Sequence, residues 1–270
     1  MIALPNEYRR LINLVDPPSA QLSSNVGKNI LEYLLTLYHT LRFWIVIVIL
    51  SIILGTIAII LGIFDKSGNQ SHKVAALWSR LICEWNGIRV EVSGTENILV
   101  DQPQIFIANH QGYYDIFTLA GYLPVQLRWV SKAVLFRVPF MGWAMSAAGY
   151  IPVERNNRKQ SYQAFLSTLE AIKAGSSVVV FPEGTRSEDG NIGVFKKGSQ
   201  LLAQRAKVPM VPVTIIGTRD IIRKGSMLIN PKAVRIIISP CINLEGEDAK
   251  KGDERLQEIR NIICENFKPI

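Results

Sequence analysis

The feature that most constrains the fold is an uncharged apolar segment at residues 43–64, which reads FWIVIVILSIILGTIAIILGIF. As a helix, its 22 residues span about 33 Å, enough to cross a hydrocarbon core of about 30 Å. A helix packed in a soluble domain would have a polar face, whereas this segment has none. No A-x-A-like cleavage site follows it. We therefore predict that residues 1–72 form a membrane-anchoring region and that residues 73–270 form a separate domain.

How the anchor meets the membrane is left open by the sequence. A second, more amphipathic stretch at residues 30–39 precedes the apolar segment, and the two could form a helical hairpin that inserts without crossing. Basic residues flank the apolar segment almost equally, with Lys28 and Arg42 before it and Lys66, Lys73 and Arg80 after it. The positive-inside rule therefore gives only a slight preference for a domain on the cytoplasmic side.

The overall charge of +8 is compatible with nucleic acid, anionic lipids or phosphorylated substrates as partners. The chain has no basic helix, zinc-binding pattern or aromatic RNA-binding motif, which disfavours nucleic acid. Beside a membrane segment, a basic surface suits anionic lipids and phosphorylated substrates. The three cysteines, Cys83, Cys241 and Cys264, form no CxxC pair. They are typical of a reducing compartment and of small apolar packing residues.

Strands and helices alternate beyond residue 74. The apolar and alternating patterns predict strands at 88–92, 104–108, 127–130, 177–181, 210–216 and 234–239. Helical periodicity predicts helices at 74–86, 161–174, 194–206 and 254–267. This order predicts an α/β domain in which helices flank a mixed sheet, joined to an N-terminal hydrophobic helical anchor.

The segment Asn109-His-Gln-Gly-Tyr-Tyr-Asp115 directly follows an apolar strand and holds the strongest catalytic signal. On one continuous helix, residues five apart diverge by about 140°, so His110 and Asp115 would not share a face. We expect His110 in the turn and Asp115 about one helical turn into the next helix, where the two side chains can meet. A carboxylate that orients an imidazole is the arrangement that removes a proton from an alcohol. The other two histidines, His39 and His72, flank the apolar segment.

Two further segments place polar groups at strand ends, where functional side chains collect. Gly149-Tyr-Ile-Pro-Val-Glu-Arg155 delivers an acid and an arginine. In Phe181-Pro-Glu-Gly-Thr-Arg-Ser187, Arg186 offers a bidentate donor suited to phosphate. We predict no metal site, because no second histidine or cysteine is positioned to complete a ligand set with His110 and Asp115.

Together with Val208-Pro-Met-Val-Pro-Val213, these three segments resemble the four ordered motifs of the glycerolipid acyltransferase family. The similarity is strongest to its bacterial 1-acyl-sn-glycerol-3-phosphate acyltransferases and covers about residues 75–240. The resemblance implies transfer of a fatty acyl group from a thioester to the sn-2 hydroxyl of lysophosphatidic acid, which gives phosphatidic acid. It also implies a bacterial inner-membrane location with the domain facing the cytoplasm.

The resemblance further implies which residues bind substrate. The residues expected to hold the acceptor are Asn109, Arg155, Glu183, Gly184, Thr185 and Arg186. Lys132 is expected to add charge for the acceptor phosphate or for the carrier of the donor. No cofactor is expected, and the donor is acyl-CoA or an acyl carrier protein.

The absence of a Gly-x-Ser-x-Gly nucleophile motif argues against a covalent acyl-enzyme and for direct attack by the acceptor. Three alternatives stay open. Another lysophospholipid, a lyso-ornithine lipid or glycerol 3-phosphate would change only the acceptor. A lipase or thioesterase would use water instead, and a non-catalytic scaffold would use none of these side chains.

Overall fold

A computed structural model describes the backbone of residues 18–154, 156–223, 225–243 and 249–268. It describes side chains over the same ranges except at residues 18–29 and 249–250. The α-helices of the described residues are α1 (Pro18–Phe64), α2 (Asn69–Trp85), α3 (Tyr114–Tyr122), α4 (Met141–Ala147), α5 (Arg158–Lys173), α6 (Gly198–Ala206) and α7 (Ala249–Asn266). The strands are β1 (Val90–Ser93), β2 (Ile105–Ala108), β3 (Leu127–Lys132), β4 (Ile151–Val153), β5 (Ser177–Val180), β6 (Met210–Ile216) and β7 (Val234–Ile238). Short 3₁₀ helices cover Thr95–Asn97, Ala133–Arg137 and Thr218–Asp220.

The seven strands form one sheet in the order β1-β7-β6-β2-β5-β3-β4. Every neighbouring pair is parallel except β6 and β7, which are antiparallel. The prediction of a mixed sheet flanked by helices is therefore confirmed. Because β2 to β6 run in one direction, their carboxyl ends lie at the same edge, where α/β proteins place their ligands.

Alternate residues of the central strand β2 serve the two faces of the sheet. Phe106 and Ala108 pack into a core cluster with residues from α1, α2 and α3. Ile105 and Ile107 pack into a second cluster with residues from α5, α6 and α7. All four side chains are fully buried, which explains why this strand is an uninterrupted apolar run.

Most predicted elements are within a few residues of the observed ones, but the helix predicted at 194–206 begins only at Gly198. The amide of Lys196 donates to the carbonyl of Pro182 at 3.0 Å, which holds this stretch in a loop against the turn after β5. Helix α4 has no counterpart in the sequence prediction. It packs against α1, where a Cβ on Gly62 would lie 2.8 Å from the Cβ of Ala147.

Helix α1 is continuous through residues 40–42, so residues 30–39 and 43–64 do not form the helical hairpin that the sequence left open. Within the described residues, Ile30–Phe64 is long and apolar enough to cross a membrane, and only 17% of its most apolar stretch is buried. One side of the helix nevertheless packs on the domain, because Phe43 and Leu50 belong to the core. An exposed apolar helix of this kind is consistent with membrane association. The division at residues 72 and 73 stays a prediction.

The buried His72 on α2 predicts a pH dependence of stability. Its Nε2 accepts the amide proton of Leu127 at 3.2 Å, and its Nδ1 lies 2.9 Å from the hydroxyl of Tyr150. Burial lowers the pKa of His72 from 6.5 to about 4, with a smaller contribution from Arg128. As the pH falls from about 6.5 to about 4, His72 is therefore protonated in the unfolded chain but stays neutral in the folded chain.

We expect this difference to remove about 3 kcal/mol from the free energy of unfolding across that window. Denaturant unfolding between pH 4 and 7, for the native protein and His72→Gln, measures it. The variant should have the lower stability at pH 7 and the shallower pH dependence. Equal slopes for both proteins would contradict the assignment.

Candidate active site

Three turns at the carboxyl edge of the sheet meet at His110. Strand β2 ends at Ala108, and His110 follows in the turn before α3. Strand β5 ends at Val180 and leads to Glu183, while β6 ends at Ile216 and leads to Thr218. Because β5 and β6 are the two neighbours of β2, their turns flank the turn that carries His110.

The side chains of His110 and Asp115 form a hydrogen-bonded pair. The His110 Nδ1 lies 2.7 Å from Asp115 Oδ2; the Asp115 side chain is fully buried, while 12% of the His110 side chain is exposed. Nδ1 donates to the carboxylate, which directs Nε2 away from Asp115 and leaves it able to accept a proton. The predicted contact is present. Asp115 is, however, the second residue of α3 rather than one turn inside it.

The Asp115 carboxylate is held by more than the imidazole. Its Oδ2 also accepts the amide protons of Gln111 at 2.7 Å and Gly112 at 2.9 Å. Its Oδ1 accepts the hydroxyl proton of Thr218, a fully buried residue. Charge-assisted bonds of this kind are the strongest hydrogen bonds in proteins, so they fix the carboxylate and, through it, the ring. The sequence analysis missed Thr218, because an isolated threonine 103 positions from Asp115 carries no local signal.

A stacked aromatic ring fixes the other face of the imidazole. The rings of His110 and Phe181 lie 4.1 Å apart between centroids and only 16° from parallel. Behind it, the rings of Phe181 and Trp129 are 6.5 Å apart. The ring of His110 is therefore oriented by a carboxylate at its edge and by an apolar surface at its face.

The carboxylate of Glu183 accepts hydrogen bonds from the backbone of the site. Its Oε1 accepts the amide proton of His110 at 2.7 Å, and its Oε2 accepts that of Gly193 at 2.9 Å. Burial raises the pKa of Glu183, and those two backbone donors partly offset the increase. These bonds give Glu183 a positioning role, and its contact with the acceptor stays a prediction.

The side chain of Asn109 is likewise bonded to backbone groups. Its side-chain nitrogen donates to the carbonyl of Ile215 at 2.8 Å, and its side-chain oxygen accepts the amide proton of Ile215 at 2.8 Å. The residue is fully buried. It ties the end of β2 to the end of β6, and its contact with the acceptor stays a prediction.

Two cationic side chains, Arg186 and Lys196, belong to or pack against the turn that contains Gly184. The guanidinium carbon of Arg186 lies 3.6 Å from the centroid of the Tyr113 ring, and its Nη1 is buried without a hydrogen-bond partner among the described residues. Gly184 has φ of +77°, and a Cβ there would lie 2.7 Å from the Nζ of Lys196. A side chain at position 184 would therefore be strained and would collide with the ammonium group. Lys196 is a further residue that the sequence analysis missed.

The remaining predicted site residues are less defined. Thr185 is exposed in the same turn. Lys132 is exposed at the carboxyl end of β3, where it pairs in register with Val153 of β4. Arg155 lies outside the described residues. Among the residues that are described, no group of three or more histidine, cysteine, aspartate or glutamate side chains could hold a metal ion. The roles of all these residues stay predictions.

Similarity to known proteins identifies the family of the chain. A family model described as acyltransferase matches residues 89–216, which run from the start of β1 to the end of β6. A 1-acyl-sn-glycerol-3-phosphate acyltransferase of Pseudomonas aeruginosa is 31% identical over 197 residues, which cover 72% of this chain and 74% of the relative. The chain belongs to the glycerolipid acyltransferase family.

Other members of the glycerolipid acyltransferase family agree in sequence and fold. The crystal structure of the 1-acyl-sn-glycerophosphate acyltransferase PlsC from Thermotoga maritima covers 87% of this chain with a TM-score of 0.75 and 26% identity. The match includes 95% of that structure. A chloroplastic 1-acyl-sn-glycerol-3-phosphate acyltransferase of Brassica napus is 36% identical over 208 residues. This chain spans 58% of the length of that plant relative.

Proposed function

We propose that the protein transfers an acyl group from a thioester to the sn-2 hydroxyl of 1-acyl-sn-glycerol 3-phosphate, which yields phosphatidic acid. The observation that carries the proposal is the His110–Asp115 pair together with Arg186, which stacks on Tyr113 of the same turn and has a buried guanidinium nitrogen without a partner among the described residues. The pair activates a hydroxyl, and the guanidinium supplies an anion site beside it. The names of the relatives support the same acceptor.

The chemistry follows from the orientation of the ring. Nε2 of His110 removes the proton from the acceptor hydroxyl while its oxygen bonds to the thioester carbonyl carbon. Asp115 stabilises the imidazolium that forms, and general-base catalysis of this kind contributes about 10²- to 10⁴-fold in rate. When the tetrahedral intermediate collapses, the carbon–sulfur bond breaks and the thiolate leaves. The proton held by the imidazolium passes to that thiolate or to solvent.

Cysteine chemistry does not compete with this route. Burial of Cys83 raises its pKa to about 12, so its thiol stays protonated at neutral pH. Cys241 and Cys264 are exposed on the surface, outside the turns that meet at His110. These observations support direct transfer without an acyl-enzyme.

The phosphate of the acceptor lies only a few covalent bonds from the hydroxyl that reacts, so its binding groups must lie close to His110. We place it against Arg186, which stacks on Tyr113, and Lys196, which lies next to Gly184. Stacking on Tyr113 holds the guanidinium plane of Arg186 in position before substrate arrives. Lys132 and Arg155 are proposed to add charge to this site, as the family resemblance implies.

Helix α1 supports delivery of both substrates at a membrane surface. It touches the domain from Thr40, whose hydroxyl accepts the amide proton of Ile229 at 3.0 Å, to Gly62 beside Ala147. These contacts extend along about 33 Å of helix. If α1 crossed the bilayer, the domain beside it would have to enter the hydrocarbon core. We therefore propose that α1 lies in one leaflet, with the domain on the cytoplasmic side, where the thioester is supplied.

The acceptor is tested by competition. Purified protein in detergent would receive labelled oleoyl-CoA with equal amounts of 1-acyl-sn-glycerol 3-phosphate, glycerol 3-phosphate and a lyso-ornithine lipid. Labelled phosphatidic acid should dominate the products. Preferential labelling of either of the other acceptors would overturn the assignment, and an oleoyl acyl carrier protein in a parallel reaction identifies the donor.

The acceptor site predicts different roles for two adjacent lysines. Lys196→Met should raise the KM for the lysophospholipid about tenfold, because a charge-assisted contact to its phosphate is lost. Lys197→Met is the matched control, since Lys197 forms an ion pair with Asp253 on α7 instead. Steady-state kinetics with each substrate varied in turn measure both. An equal effect of the two substitutions, or one confined to the donor KM, would remove Lys196 from the acceptor site.

A further inference from the structure

A second cationic cleft lies beside the dyad and does not include the acceptor site. It has a volume of about 400 Å³ and is lined by Ser187, Glu188, Arg219, Arg223 and Gly225. Its two walls are the loop after β5 and the loop after β6. Neither Arg186 nor Lys196 lines it, so an anion bound in this cleft would be separate from the acceptor phosphate proposed above.

Both walls of the cleft are bonded directly to the dyad turn. The amide of Ser187 donates to the carbonyl of His110 at 2.9 Å. Thr218, which immediately precedes Arg219, donates its hydroxyl proton to Asp115. The cleft is therefore contiguous with the turn that carries His110 and Asp115. One ligand can occupy the cleft and present its reacting group at His110 if a flexible linker joins the two parts.

The guanidinium of Arg219 is fixed in place before any ligand binds. Its Nη2 donates to the carbonyl of Glu188 at 2.7 Å. Its Nη1 lies 3.3 Å from the position that a Cβ on Gly190 would take, so the glycine leaves space for it. Arg223 contributes a second guanidinium, which contacts Asp220 at 3.5 Å and has 75% of its side chain exposed. Two guanidinium groups against the single carboxylate of Glu188 favour an anion.

A neighbouring cleft is less suited to phosphate. It has a volume of about 520 Å³ and also touches Arg223, but Glu32 and Asp220 line it together with Lys232. Two acidic and two basic side chains line it, whereas one acidic and two basic side chains line the first cleft. A phosphate is thus expected on the Arg219 side of Arg223.

We propose that Arg219 and Arg223 bind the phosphate of the phosphopantetheine arm of the thioester donor. This assignment rests on the proposed function. The arm is a long, flexible linker between the thioester sulfur and a phosphate, so the phosphate can occupy the cleft while the thioester lies at His110. Acyl-CoA and acyl carrier protein share this arm, so the cleft recognises either donor through the same group.

The test compares donors with and without that phosphate. In the native protein, kcat/KM should be at least about tenfold higher for oleoyl-phosphopantetheine than for oleoyl-pantetheine. Arg223→Gln should bring this ratio close to one and leave kcat/KM for oleoyl-pantetheine unchanged. Arg205→Gln on α6, an exposed arginine outside both clefts, should preserve the native ratio. An unchanged ratio in Arg223→Gln would overturn the proposal.

The two natural donors separate the sources of the phosphate. If the shared arm is recognised, Arg223→Gln should lower kcat/KM about tenfold for both oleoyl-CoA and oleoyl acyl carrier protein. A loss with oleoyl-CoA alone would overturn the assignment to the shared phosphate.

Binding of free phosphopantetheine, measured by calorimetry, keeps this proposal distinct from the proposed function. If no acceptor is acylated yet phosphopantetheine binds and Arg223→Gln abolishes binding, the cleft stands and the function falls. If phosphatidic acid forms but Arg223→Gln leaves phosphopantetheine binding intact, the function stands and the cleft assignment falls.

Discussion

His110→Ala should lower kcat for acyl transfer by about 10²- to 10⁴-fold, because the variant lacks the base that takes the proton of the acceptor hydroxyl. The Nδ1 of His110 is bonded to Asp115 at 2.7 Å, and its ring is stacked on Phe181. These contacts hold Nε2 in position as the base. Initial rates with saturating donor and lysophospholipid measure the effect. Binding of both substrates should remain within a few-fold of the native values.

The matched control is the buried histidine on α2. His72 has its ring nitrogens against Tyr150 and the amide of Leu127, away from the three turns of the site. His72→Gln should therefore lower the melting temperature and leave kcat within a few-fold. A His110→Ala protein that keeps more than a tenth of the native kcat would contradict the role of His110 as the base.

Asp115→Asn should lower kcat by about 10²- to 10⁴-fold while the protein still folds. An asparagine oxygen can replace the carboxylate oxygen that accepts from Gln111, Gly112 and the imidazole, and the hydroxyl of Thr218 can rotate to accept from the amide. The geometry of the turn is therefore preserved, but the negative charge that stabilises the imidazolium is lost. Turnover and thermal unfolding of the same preparation measure the two effects separately.

Asp115→Ala provides the contrast. It leaves the amides of Gln111 and Gly112 without their buried acceptor, at about 1–3 kcal/mol for each unsatisfied group. That protein should lose stability as well as activity, whereas Asp101→Asn, an exposed aspartate in a distant loop, should lose neither. If Asp115→Asn retains kcat within tenfold of the native protein, the charge of Asp115 is not needed and the pair is structural.

The parts of the molecule that depend on local pattern could be predicted from the sequence. The fully buried strand β2 is visible in the sequence as an uninterrupted apolar run. The spacing of His110 and Asp115 shows that the two side chains can meet only if a turn separates them. The family resemblance identified the same turn. Helix α1 was recognised from its length and composition, which are properties of the segment alone.

The parts that depend on distant contacts could not be predicted. Thr218 reaches Asp115 only because β6 lies beside β2 in the sheet, and Lys196 reaches Gly184 only because its loop folds back on Pro182. Glu183 resembled a ligand for substrate, yet its carboxylate bonds to two backbone amides that have no sequence signature.

The most direct test of the account is whether thioester cleavage depends on the acceptor. Purified protein would receive labelled oleoyl-CoA with and without 1-acyl-sn-glycerol 3-phosphate, and released thiol, free fatty acid, lipid products and intact protein mass would be followed together. Direct transfer predicts thiol release only when the lysophospholipid is present, matched by labelled phosphatidic acid, with no increase in protein mass. Free fatty acid formed at the same rate without the acceptor would contradict it and identify a hydrolase.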